Sequence, residues 1–220
     1  MIGRDVAGIG APLDRASLDA DCARLAAVEP VFATILQHHG RPPVWRRPEG
    51  FRTLVQIVNE QKISLASAAA IGERVEALCV PFTATRFLAL GEQALRGTGM
   101  SGAKIGYCRS IAEAILSRRL VLSALSRLGD GEVVARLCAV RGIGPWTANV
   151  YLSMALGRRD AWPSGDRALA LGVAEQFGLV AVPGYPELDR LAEAWRPCRG
   201  AAARLVWHAY LVRRGKGTSG

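Results

Sequence analysis

The 220-residue sequence has only three lysines, three histidines and five cysteines, and it has no run of about 20 apolar residues. The missing apolar run excludes a transmembrane helix. The cysteines are scattered without a CxxC pair, which argues against a zinc site or a four-cysteine iron–sulfur cluster. Their number is odd and the sequence has no secretory signal pattern, so we expect reduced, mostly buried thiols in a soluble intracellular protein.

Positive charge is abundant and is carried almost entirely by arginine. Lysine and arginine together number 28 against 19 acidic residues, which gives a net charge of +9. Such an excess favours a polyanionic partner, with nucleic acid first, although a basic protein without such a partner remains the alternative. Residues 96–145 contain eight basic and three acidic residues, so contact with phosphates is expected in this stretch.

Apolar residues recur at helical spacing along the chain, and alternating β-type runs are missing. This pattern predicts an all-α fold of about nine to eleven short helices, one of them spanning residues 19–37. The predicted organisation has four parts: an N-terminal helix and connector (1–50) that packs with the C-terminal lobe, a central lobe (51–150), a C-terminal lobe (151–212) and a flexible basic tail (213–220).

Residues 133–156 predict two helices joined by a glycine-rich turn. Gly142 and Gly144 flank Ile143, and Pro145 begins the second helix, where its missing N–H costs nothing. Glycines let the backbone approach a ligand closely, and the start of a helix offers unpaired N–H groups and a positive dipole end. The turn therefore suits a DNA phosphate, although glycine–apolar–glycine is also common in ordinary helical hairpins.

Four segments in order resemble those of the helix-hairpin-helix DNA glycosylases (the HhH-GPD superfamily), in the 3-methyladenine glycosylase II branch. They are 60–68 (EQKISLASA), 140–148 (VRGIGPWTA), 157–166 (GRRDAWPSGD) and 195–202 (WRPCRGAA). The resemblance implies the short, two-lobed, all-helical form of the fold, with a helix-hairpin-helix and an active site between the lobes. It also implies a monomeric base-excision repair enzyme, cytoplasmic with the bacterial nucleoid or nuclear in a eukaryote, that binds damaged double-stranded DNA and no membrane.

Asp166 matches the catalytic aspartate of that family. An ionised carboxylate near the sugar C1′ would stabilise the positive charge that develops as the base departs, and it could orient or deprotonate the attacking water. From the residues alone, an aspartate at the start of a predicted helix is also a routine stabilising choice.

The scarcity of lysine favours simple hydrolysis over strand cleavage. Bifunctional members of the family form a Schiff base through a lysine that precedes the Thr-Ala of the hairpin helix, and here that position is Trp146. We therefore expect a monofunctional enzyme that leaves an abasic site, needs no cofactor and holds no iron–sulfur cluster. A non-catalytic DNA-binding protein, or a glycosylase for uracil or hypoxanthine, remains the alternative.

The resemblance also assigns the pocket and the DNA contacts. Trp146 and Trp207 match aromatic pocket positions, where an indole face would attract a positively charged alkylated purine, with plain core packing as the alternative. Lys62 stands where the family usually has glutamine or an apolar residue beside the DNA gap, and it could insert, contact a phosphate or stay on the surface. The implied DNA-binding residues are Gln61, Lys62, Lys104, Arg141, Gly142, Ile143, Gly144 and Thr147. A K⁺ or Na⁺ ion would be held by the backbone carbonyls of Cys138, Val140 and Ile143.

Overall fold

The computed structural model describes residues 10–215, and within that range the chain forms thirteen helices and no β-strand. The helices are α1 (Arg15–Val28), α2 (Pro30–His39), α3 (Phe51–Glu60), α4 (Leu65–Leu78), α5 (Ala84–Ala89), α6 (Glu92–Gly97), α7 (Gly102–Leu116), α8 (Leu122–Leu125), α9 (Asp130–Cys138), α10 (Pro145–Met154), α11 (Arg167–Gln176), α12 (Tyr185–Glu193) and α13 (Arg199–Val212). The all-helical prediction is confirmed, although the helices are shorter and more numerous than the periodicity suggested. Among the described residues, no helix is long and apolar enough to cross a membrane.

The single helix predicted across residues 19–37 is wrong, because a proline divides it. Pro30 is the first residue of α2, and proline cannot continue the preceding helix. Glu29 caps both the end of α1 and the start of α2. Its backbone N–H donates to the carbonyl of Leu25, and its side chain accepts from the N–H of Val31. Residues 1–9 and 216–220, which include part of the predicted tail and Lys216, lie outside the described range.

The described chain divides into two compact units, of which the first contains residues 47–151. Its centre is α7, which packs against α3, α5 and α6, while α3 also packs against α4. Seven of the ten residues of α3 are buried, because its apolar side chains recur on adjacent turns. The Nδ2 of the buried Asn59 donates to the carbonyl of Ala68 at 2.8 Å, which links α3 to α4.

The second unit contains residues 10–46 and 152–215, and α13 lies at its centre. This helix packs against α1, α2 and α11, and ten consecutive residues from Gly200 to Ala209 are buried. Small residues allow the close packing: a Cβ added at Gly200 would lie 2.6 Å from the carbonyl oxygen of Arg159. An edge-to-face aromatic cluster fills the remaining core, with Phe32 and Trp195 at a ring-centroid distance of 5.2 Å.

A fully buried arginine ties this second unit together. The guanidinium of Arg204, on α13, donates to the carbonyls of Val44, Gly200 and Ser153 and to the hydroxyl of Ser153, at 2.8–3.0 Å. Loss of hydration lowers the pKa of Arg204 to about 10. Because these partners lie far apart in sequence, Arg204 fixes the connector around Val44 and the end of α10 against α13.

Candidate active site

Asp166 lies at the junction between the loop 157–166 and α11, and it caps that helix. Its Oδ1 accepts the backbone N–H of Leu169 at 2.8 Å and the indole Nε1–H of Trp207 at 3.2 Å. The side chain is buried, with 8% of its surface exposed. Hydrogen bonds to one carboxylate oxygen and the positive end of α11 both stabilise a negative charge at this position.

Trp207 packs in the core and also contacts the candidate catalytic carboxylate. It lies in the middle of α13 with 8% of its surface exposed, so most of the ring packs in the core of the second unit. Its polar edge nevertheless reaches the carboxylate of Asp166. The structure therefore brings these two predicted site residues into direct contact.

The turn just before Asp166 is held by a residue to which the sequence alone gave no role. Asp189, on α12, accepts the indole N–H of Trp162 on Oδ1 at 2.9 Å and the hydroxyl of Ser164 on Oδ2 at 2.6 Å. Within the turn, the backbone N–H of Asp166 donates to the carbonyl of Pro163 at 3.1 Å. One carboxylate thus binds the residues on both sides of Pro163. This contact fixes the position of Asp166 at the end of the loop.

The first half of the same loop is anchored separately. The guanidinium of Arg159 pairs with the buried carboxylate of Asp21, and the carbonyl of Arg159 accepts the N–H of Gly200 at 2.8 Å. Asp160 pairs with Arg199 at 2.9 Å. The loop therefore follows a path set by ion pairs and backbone hydrogen bonds along its length.

The predicted hairpin is present in the first unit, between α9 and α10. Gly142 has a φ of +96°, and a Cβ added there would lie 2.3 Å from the Cβ of Tyr107, so only glycine fits. Ile143 is buried and its N–H donates to the carbonyl of Val140 at 3.1 Å. Gly144 precedes Pro145, the first residue of α10, and its carbonyl accepts the N–H of Ala148 at 3.0 Å.

Gln61, in the loop between α3 and α4, forms hydrogen bonds to the hairpin. Its Nε2 donates to the carbonyl of Gly142 at 3.1 Å and to the hydroxyl of Thr147 at 3.0 Å. These three residues, each predicted to contact DNA, therefore lie together. The next residue, Lys62, has a φ of +58° and an exposed side chain, so a strained backbone presents its ammonium group to solvent.

The remaining predicted residues differ in their surroundings. Arg141 is exposed beside the hairpin, and Trp146 is half-buried in the first turn of α10. Lys104 is half-buried, and its Nζ donates to the carbonyl of Asn59 near the end of α3 at 2.6 Å. Partial burial lowers the pKa of Lys104. Its charge therefore supports the end of α3 as well as adding to the local positive field.

The backbone carbonyls proposed for a cation lie where α9 ends. Cys138 is the last residue of α9, and carbonyls at the end of a helix have no partner in the helical ladder. The carbonyl of Val140 accepts one hydrogen bond and retains a second lone pair, so this donor set is compatible with K⁺ or Na⁺. Within residues 10–215, no group of three or more His, Cys, Asp or Glu side chains could hold a metal ion.

No model of a known protein family matches the chain. Over 209 residues it is 24% identical to the alkylbase DNA glycosidase-like protein mag2 of Schizosaccharomyces pombe, covering 90% of this chain and 98% of that protein. The structure of the S. pombe 3-methyladenine DNA glycosylase in complex with abasic DNA is 24% identical, with a TM-score of 0.80 over 89% of this chain and 97% of that chain.

A second solved structure, the DNA-3-methyladenine glycosidase of Bacillus halodurans, is 28% identical, with a TM-score of 0.73 over 90% of this chain and 92% of that chain. The similarity in both cases spans nearly the whole fold, including both units. Together with the hairpin and the loop that ends in Asp166, these similarities support a placement in the helix-hairpin-helix DNA glycosylase superfamily.

Proposed function

We propose that the protein is a monofunctional DNA glycosylase that hydrolyses the N-glycosidic bond of alkylated purines in double-stranded DNA. In base excision repair this reaction leaves an abasic site. The observation that carries the proposal is the carboxylate of Asp166, buried at the start of α11 and held by the indole N–H of Trp207. The names of the relatives, which refer to 3-methyladenine and alkylated bases, support this substrate class.

Asp166 carries the chemical step in this proposal. As the bond to the base breaks, positive charge develops on the deoxyribose, and a fixed carboxylate stabilises that charge in the transition state. The same carboxylate orients or deprotonates the water that attacks C1′. A 3-methyladenine or 7-methylguanine base already carries positive charge, so the leaving group needs little acid catalysis.

Recognition of the base would rest on aromatic side chains. The enzyme must extrude its target base from the duplex and read it in a pocket. Indole faces attract cations, so Trp207, and Trp146 at the start of α10, are suited to bind a positively charged purine. The hydrogen bond from Trp207 to Asp166 would align base recognition with the chemical step.

The hairpin would hold the DNA backbone. Gly142 and Gly144 permit close approach of a phosphate to the start of α10, and the exposed Arg141 adds a positive charge there. Gln61 sets the position of the hairpin. The exposed Lys62 would contact the gap left by the extruded base or a neighbouring phosphate. A K⁺ or Na⁺ ion on the carbonyls of Cys138, Val140 and Ile143 would strengthen the same phosphate contact.

The proposed function is tested with a panel of duplexes, each carrying one lesion, treated with alkali after incubation with the protein. We expect strand breaks at 3-methyladenine or 7-methylguanine only after alkali, and no covalent adduct after borohydride reduction. Breaks before alkali together with a borohydride-trapped adduct would contradict monofunctional hydrolysis. Release of uracil or hypoxanthine alone would contradict the substrate class, and binding without release of any base would leave a non-catalytic DNA-binding protein.

Asp189 provides a test of how the loop positions Asp166. We expect Asp189→Ala to lower the single-turnover rate of base release by about tenfold, because Trp162 and Ser164 both lose their acceptor and the catalytic carboxylate shifts. Affinity for DNA that contains an abasic-site analogue should remain within about threefold of the wild-type value. Glu187→Ala, on an exposed position of the same helix, is the matched control. An unchanged rate in Asp189→Ala would show that the loop keeps its path without this carboxylate.

A further inference from the structure

Trp45 has an unusual backbone conformation in the connector between α2 and α3. Its φ is +48°, a left-handed value that costs free energy for any residue other than glycine and is rare for a bulky side chain. Such strain persists only where the surrounding structure imposes it, and it clusters at functional sites. Neither the proline-rich sequence of the connector nor the family resemblance assigned this residue a role.

The residues on both sides of Trp45 are held in place. The carbonyl of Val44 accepts the Nε–H of the buried Arg204 at 2.8 Å. On the other side, the guanidinium of Arg46 donates to the carbonyls of Leu13 at 3.2 Å and Ala155 at 3.0 Å. The strained conformation is therefore imposed by two arginines of the second unit, and it fixes the direction of the indole ring.

The indole ring of Trp45 packs beside that of Trp207. The two ring centroids are 6.3 Å apart and the ring planes are inclined by 69°, so the indoles form an aromatic corner. Trp207 has only 8% of its surface exposed, whereas Trp45 is half-buried. Much of the aromatic surface that a ligand could reach in this corner therefore belongs to Trp45.

We propose that Trp45 is a specificity-determining residue, which offers an aromatic surface to the extruded, positively charged base beside Trp207 and Asp166. The inference rests on the proposed glycosylase function. An indole face attracts a cationic purine, and a ring held by clamped backbone loses little conformational freedom when the base binds. The free energy stored in the strained backbone would then be the cost of keeping that ring in place.

The test compares Trp45→Leu and Trp45→Phe with the wild type. Two quantities are measured: the single-turnover release of 7-methylguanine, and the affinity for a duplex that carries an abasic-site analogue and so has no base to stack. We expect Trp45→Leu to lower the release rate about tenfold and Trp45→Phe to lower it by less than about threefold. The affinity for the abasic duplex should stay within about twofold in both variants, because in this proposal Trp45 contacts the extruded base and not the DNA backbone.

Three results would overturn the inference. The first is a release rate in Trp45→Leu within about twofold of the wild type, and the second is an equal loss in Trp45→Phe, which keeps an aromatic ring. The third is a parallel loss of affinity for the abasic duplex, which would show that Trp45 merely supports the fold. A wild-type protein that releases no base would instead remove the proposed function, and this inference with it.

Discussion

Replacing Asp166 with asparagine is expected to lower the rate of base release about a thousandfold or more, with affinity for a lesion-containing duplex almost unchanged. The asparagine Oδ1 can still accept the N–H of Leu169 and the indole N–H of Trp207, so the loop and α11 keep their geometry. The substitution removes the negative charge proposed to stabilise the developing cation. Single-turnover release of 7-methylguanine, measured at saturating protein, gives the rate.

Glu175→Gln is the matched control for this substitution, because it removes a carboxylate from the same helix. Glu175 lies near the far end of α11 and pairs with Arg214 at the surface. A surface ion pair contributes at most about 1 kcal/mol to stability, so the release rate should stay within about twofold of the wild type. Equal rates for Asp166→Asn and the wild type would contradict the catalytic assignment, whatever the control shows.

Gly142→Ala is expected to have the largest effect on stability and DNA affinity. The added methyl group would meet the Cβ of Tyr107 at 2.3 Å, on a residue whose φ of +96° already disfavours alanine. The hairpin would have to move away from α7, at a cost of about 3 kcal/mol or more in unfolding free energy. For a chain of this size that corresponds to a fall in Tm of about 10 °C, and we expect affinity for duplex DNA to fall at least about tenfold.

The second glycine of the same turn is the control. A Cβ added at Gly144 meets nothing within 4 Å, and its φ is not in the left-handed range. Gly144→Ala should therefore cost less than about 1 kcal/mol, mainly through the weaker capping of α10. Thermal unfolding and titration of a fluorescent duplex distinguish the two variants. Similar losses in both would show that the hairpin does not depend on the contact between Gly142 and Tyr107.

The features that the sequence predicted are those set by residues close together in the chain. The hairpin follows from two glycines and a proline within four positions, and the capping role of Asp166 follows from its place at the start of α11. The break between α1 and α2 is local too, since Pro30 and the capping Glu29 lie side by side. The apolar periodicity continues across this break and therefore predicted one helix. Pro30 is the stronger signal, because proline cannot continue the preceding helix.

The other features that the sequence missed depend on chain segments that meet only after folding. Asp189 lies 25 residues beyond Ser164, on a helix whose acidic residues look like ordinary surface groups. Trp45 acquires its contact with Trp207 because Arg204, 160 residues away from Val44, holds the connector. The same applies to Lys104, whose bond to the carbonyl of Asn59 could not be anticipated from charge alone.

Hydrolytic release of alkylated purines from DNA at Asp166 is the proposal on which the other expectations depend. The most direct measurement follows free 7-methylguanine by mass spectrometry and strand integrity by gel, on one lesion-containing duplex, for the wild type and Asp166→Asn. We expect free base and an intact, alkali-labile strand with the wild type, and bound but unreacted DNA with the variant. Equal release by the two proteins, or no release by either, would contradict this proposal.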